Sequence, residues 1–251
     1  MSIEKDLEVK DKTIELDSKS TLSTTTTLYP LEESNAFFDP TRRLLINTPG
    51  ICFLRLPIPS RDLEIPIQTS EGDLVYLSKR ERMYSGNCTL SHAKLGDVVR
   101  TEYFFGPNRD PVLYLLDEDD GGGRREVKTR GRWTSRAMEF RVLGGEAFEW
   151  RYASERLRNG GRVNLLVLSW VDGKSEKGNG GVIAKLVRGN ETRTPGSARC
   201  SAGNGGELLI DEDALGPLDE GLVVASCLVM LKREIDRRRA MQLAMIGAVV
   251  C

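Results

Sequence analysis

The stretch LVVASCLVMLKREIDRRR, Leu222 to Arg239, constrains this chain more than any other. Ten residues with one hydroxyl among them, that of Ser226, run directly into eight residues of which five are basic. Such a segment can cross a bilayer, lie on one, or be enclosed by its own protein. A span needs about 20 apolar residues to cross a core of ~30 Å. Leu222–Leu231 supplies ten, ~15 Å of helix. The next apolar piece, Ala240–Val250, is cut off by Arg237, Arg238 and Arg239, which cost several kcal/mol at mid-bilayer. No transmembrane span is expected. An interfacial anchor needs a polar face opposite its apolar one, and Leu222–Leu231 has none. A helix apolar on every side is stable only when surrounded by protein.

A closed sheet can provide that enclosure, because strands of five or six residues make a wall ~17–20 Å tall. The plainer alternative is a helix on one face of an open antiparallel sheet, its back covered by a loop. From Ile51 onward the chain is rich in short β-branched or aromatic runs between Gly, Pro, Asn and Asp clusters, the signature of many short strands. ICFLRLPI (Ile51–Ile58), GDLVYLS (Gly72–Ser78), DVVRTEYFF (Asp97–Phe105) and PVLYLL (Pro111–Leu116) read as strands. So do EVKTR (Glu126–Arg130), MEFRVL (Met138–Leu143) and AFEWRY (Ala147–Tyr152). RVNLLVLSW (Arg162–Trp170), GVIAKLVR (Gly181–Arg188) and GELLI (Gly206–Ile210) complete the set. Period-two alternation puts Met138, Phe140 and Val142 on one face, and Phe148, Trp150 and Tyr152 on another. In DVVRTEYFF, Val98, Tyr103 and Phe105 fall among Arg100 and Glu102. RVNLLVLSW is nearly continuously apolar and reads as a central strand.

The expected fold is therefore mainly β: a closed antiparallel barrel of about ten to twelve strands around a C-terminal apolar central helix. The break at Gly216-Pro217 predicts a helix from about 217, and AMQLAMIG carries it to about 247. Lys232–Arg239 is expected where this helix leaves the barrel and meets water, cations favouring its C-terminal dipole. Residues 36–251 form one domain in this reading. Residues 1–35 read as a disordered acidic tail, with a short helix over Ile3–Leu16 as the rival.

Order and texture carry a resemblance. About ten strands followed by an apolar C-terminal helix resemble the tubby C-terminal-like group, which includes tubby proteins, phospholipid scramblases and plant LURP-one-related proteins. The segments YFFGPNRDPVLYLL (Tyr103–Leu116), AFEWRY and LVVASCLVMLKREIDRRR look like a fungal branch of it. The resemblance spans roughly residues 45 to 250. It implies a barrel around a helix and, from tubby domains, recognition of phosphoinositide headgroups by basic side chains. No individual position carries over. Scramblase-like proteins carry a Cys cluster for acylation, and none is found here.

The formal net charge is −1, so any pull toward an anionic partner must be local. Arg124 to Arg162 holds eleven Arg or Lys against five Glu. Within it Arg124, Arg125, Lys128, Arg130 and Arg132, with Trp133 beyond, make a candidate anion- or lipid-binding patch. A solvated outer barrel face explains the same residues. His92 is the only histidine. Cys88 and His92 share a strand face, but four residues at ~3.3 Å each separate them too far for a nucleophile–base pair. Two ligands do not make a zinc site. Asp117, Glu118, Asp119 and Asp120 form an acidic loop without calcium-loop spacing. No catalytic residue, metal or cofactor is expected. Five scattered cysteines and a polar N-terminus suggest reduced, intracellular use, so the two Asn-X-Thr sequons read as chance matches.

The expected function is a non-enzymatic intracellular binding module for anionic phospholipid headgroups or a protein partner. A cytoplasmic location is expected, with a peripheral membrane one as the alternative; no nucleic-acid ligand is expected, and the oligomeric state is left open. The alternatives are an enzyme at the barrel mouth using Asp117–Asp120 or His92, and a scramblase-like membrane protein.

Overall fold

The computed structural model describes residues 38–52, 63–82, 85–106, 109–116, 124–131, 136–156, 161–171, 181–198 and 200–250. The acidic tail, most of ICFLRLPI, Asp117–Asp120, Arg132 and Trp133 lie outside these residues.

Twelve strands form one closed antiparallel barrel. They are β1 (Arg42–Ile46), β2 (Glu64–Gln68), β3 (Leu74–Arg80), β4 (Cys88–His92), β5 (Gly96–Glu102) and β6 (Val112–Leu116). Then follow β7 (Arg124–Arg130), β8 (Met138–Arg141), β9 (Ala147–Arg156), β10 (Arg162–Trp170), β11 (Val182–Arg188) and β12 (Gly206–Ile210). Each strand pairs with its sequence neighbour, and β1 closes the cylinder on β12 from Arg42↔Ile210 to Ile46↔Gly206. Closure leaves no unpaired sheet edge.

Three strands, β1, β2 and β4, are not among the ten read from the sequence. RRLLI begins with two arginines, whose charges are met by Glu220 at 3.0 Å and Glu207 at 3.3 Å. EIPIQ carries Pro66, which cannot donate to a ladder; its carbonyl instead accepts the Asn47 N–H at 3.1 Å. Of the expected strand at Ile51–Ile58, Ile51 makes an isolated bridge to Ala202.

Period two fills the interior. Met138, Phe140, Phe148, Trp150, Leu166 and Leu168 are each at most 1% exposed. On β5 the inward row is Val99, Thr101 and Tyr103, not one led by Val98. Alternation back from Tyr103 puts Val98 in the row of Arg100 and Glu102, and a bulge falls there: Leu90 pairs with Val99 and Ser91 with Asp97, leaving Val98 as the extra residue. β10 is buried on both faces, because Val163 and Leu165 join Val187 and Leu209 in a second cluster packed by Phe38.

The helix α1 runs Glu220–Val250. It starts at Glu220 rather than at Pro217 because Asp219 caps it, its carboxylate accepting the Gly221 N–H at 2.6 Å. Each residue of Leu222–Leu231 is at most 7% exposed. The helix touches walls all round the cylinder. Glu220 meets Arg42 on β1, Gly221 lies beside Val98 and Val99 on β5, Ser226 meets Trp150 on β9, and Glu234 meets Arg188 on β11. Among the described residues no helix is long and apolar enough to cross a membrane.

Beyond Leu231 the helix inverts the expectation. Lys232–Arg239 is not fully solvated: Arg233 is buried and the other seven residues are partly buried. Exposure begins at Ala240, where side chains turn apolar: Met241 is 50% exposed, Leu243 59%, Met245 46% and Ile246 47%. The barrel wall outlasts the apolar plug by about two helical turns, so the basic segment lines the mouth and the second apolar segment stands outside.

Candidate functional site: an arginine-lined barrel mouth

Four of the five patch residues lie on β7 (Arg124–Arg130). Arg124 opens the strand; alternation sets Lys128 and Arg130 on one face, with Arg125 on the Val127 and Thr129 face, which is buried at those two positions. Lys128 is 3.5 Å from Glu126, and Arg130 lies opposite Glu139. Carboxylates thus interleave the exposed cations.

At the end where α1 leaves the barrel, five arginines gather instead. Arg136 before β8, Arg188 at the end of β11, Arg193 in the following turn, and Arg237 and Arg238 on α1 line one cavity of about 320 Å3. One carboxylate faces them, that of Glu234. It is already engaged: Arg188 Nη1 donates to both its oxygens at 3.0 and 2.8 Å, and the Gly203 N–H donates to it at 2.7 Å. This pair, 7% and 11% exposed, fixes the helix against β11 and the approach to β12. Among the charged residues that line the cavity, five arginines stand against one glutamate.

Tyr152 forms part of the wall, under the Arg136 guanidinium at 5.8 Å from the ring centre. Burial first, and the Glu234 carboxylate second, push its phenol far above the ordinary range, against the pull of Arg188 and Arg237. It stays protonated at any physiological pH and is a neutral O–H donor beside cations. Guanidiniums and a phenol together suit a multivalent oxyanion such as phosphate. Met241 lines the same cavity at the base of the exposed apolar segment.

The residues considered for catalysis are elsewhere. Cys88 and His92 occupy opposite ends of β4. His92 Nδ1 accepts the N–H groups of Lys94 and Leu95, both at 3.2 Å, and its ring meets Tyr76 edge-on at 5.0 Å. These contacts tie it to the β4–β5 turn. Among the described residues no group of three His, Cys, Asp or Glu is placed to hold a metal ion.

No family model, no curated protein and no solved structure matches this chain.

Proposed function

We propose that this chain is a tubby-like, non-enzymatic binding module that docks on an anionic phospholipid surface through the barrel mouth. One observation carries the reading: five arginines converge on a single cavity with one carboxylate, beside a projecting helical tip that is exposed and apolar. The cations suit phosphorylated headgroups, each basic group near an anionic surface contributing roughly 1 kcal/mol. The tip suits the acyl region beneath them. Ala240–Val250 is ~16 Å of helix, about one leaflet deep. Apart from Gln242, which donates to the Cys52 carbonyl at 3.3 Å, residues 240–248 are exposed on every side. A helix tip apolar all round is solvated by lipid better than by a one-sided protein groove.

Vesicle co-sedimentation at physiological salt tests the reading. Phosphatidylcholine vesicles carrying phosphoinositide should retain the protein, and phosphatidylcholine alone should not. Equal retention by the two would refute headgroup recognition.

A further inference from the structure

The outer face of β9–β11 carries a cavity of its own, of about 400 Å3. That is near the lower end of the ~300–1,000 Å3 that small-molecule sites occupy. Period-two alternation turns Arg151, Ala153 and Glu155 of β9 outward, with Leu165 and Val167 of β10 and Lys185 of β11. Register then sorts their charges. Arg151 and Lys185 both stand opposite Val167, one on each side of it. Glu155 stands opposite Val163, ~13 Å further along β10 in backbone.

Lys185 is the unusual member of the lining. It is 2% exposed, and its Nζ has no hydrogen-bond partner among the described residues. The Phe38 ring, 4.6 Å from that Nζ, closes one side. The other two charges are provided for. Arg151 is 3.2 Å from Glu149 and donates to Ser169 Oγ at 3.3 Å. Glu155 is only partly buried, so water solvates its carboxylate. It acts on Lys185 through space without bonding to it, and burial outweighs it there.

A buried ammonium with no acceptor is costly. An anion that reaches it removes that cost through a charge-assisted hydrogen bond. One ammonium matches one negative charge, and Leu165, Val167 and Val182 offer carbon beside it. We propose that this outer cavity binds a small-molecule monocarboxylate with a short apolar body. The carboxylate accepts from Lys185 Nζ, and the body lies against Leu165, Val167 and Val182. The cavity shares Tyr152 and Ala153 with the arginine cavity and none of its five arginines, so either site can fail without the other.

Calorimetric titration of the full chain with hexanoate, hexanamide, hexylamine and acetate tests this. Hexanoate should bind, hexanamide and acetate at least tenfold more weakly, and hexylamine not at all. K185M should abolish hexanoate binding, with its melting temperature as the check on folding. R193Q, in the arginine cavity, should change nothing. Absence of hexanoate binding, or binding undiminished in K185M, would overturn the proposal. So would hexylamine binding as tightly as hexanoate, which would make Glu155 the anchor. Should K185M not fold, V167W supplies the check at a partly exposed position. Its indole should fill the cavity and weaken hexanoate at least tenfold, and an unchanged affinity rejects the site.

Discussion

Trp150 Nε1 donates to Ser226 Oγ at 2.9 Å, joining β9 to the central helix inside the barrel. The Ser226 hydroxyl in turn donates to the Val223 carbonyl at 3.0 Å. The one hydroxyl in Leu222–Leu231 therefore stands where a buried indole needs an acceptor. Ser226→Ala should destabilise the fold by about 1–3 kcal/mol, the cost of an unsatisfied buried donor. Adding Trp150→His, or any donor-bearing ring, should not restore it, whereas Trp150→Phe in the S226A background should cost less than it does in wild type. Urea unfolding with an unchanged slope checks this cycle.

Glu234 anchors the helix at the mouth. It pairs with Arg188 and accepts from Gly203, where φ is +70 and a Cβ would strike Ile235 and the Leu231 carbonyl, so that only glycine fits. Glu234→Ala should cost about 3–5 kcal/mol by leaving a buried charge unmatched. The double variant R188M/E234L should be far milder. Thermal melts of the two distinguish a merely decorative pair from a structural one.

Thiol reactivity should follow burial. Burial pushes the Cys227 thiol up to about 12 and raises Cys88 as well, while Cys52 and Cys200 are exposed. Peptide-level mass spectrometry after brief alkylation at pH 7.5 should find Cys52 and Cys200 modified. Cys227 should react only once the chain unfolds. Rapid native modification of Cys227 would contradict an enclosed helix.

Lys185 supplies a pH signature. It is 2% exposed, its Nζ has no hydrogen-bond partner among the described residues, and it lies 4.6 Å over the Phe38 ring. Burial lowers its pKa below 10.5, and Glu155 offsets part of that. The folded chain then holds this proton less tightly than the unfolded chain. Its contribution to stability accordingly rises as pH climbs from the lowered value to 10.5. Lys185→Met should be more stable than wild type at neutral pH by about 1 kcal/mol, and the gap should narrow as pH approaches 10.5. A gap independent of pH would show that the ammonium is not the cause.

The barrel and its plug were legible because each obeys a simple periodicity. Phe148 and Trp150 alternate inward, and Leu222–Leu231 has no polar face to give to water. The mouth was not legible, because its arginines come from positions 136 to 238 and meet only when β8, β11 and α1 are assembled. A local charge count favoured β7, where the cations are consecutive but interleaved with Glu126 and faced by Glu139. A usable signal did exist. Arg188 shares parity with the inward Ala184 and Leu186, and Tyr152 with Trp150. A polar residue that keeps inward parity at a strand end marks the barrel mouth. The run Arg237–Arg239 was misplaced for a related reason: the plug is shorter than the wall, so its charged continuation remains half inside.

Docking through the mouth is tested most directly by the affinity of R136Q/R193Q/R238Q for phosphoinositide vesicles at physiological salt, with its melting temperature as the check on folding. At roughly 1 kcal/mol for each basic group, the folded triple variant should bind about a hundredfold more weakly than wild type. Undiminished affinity would show that the arginine-lined mouth is not where the membrane is met.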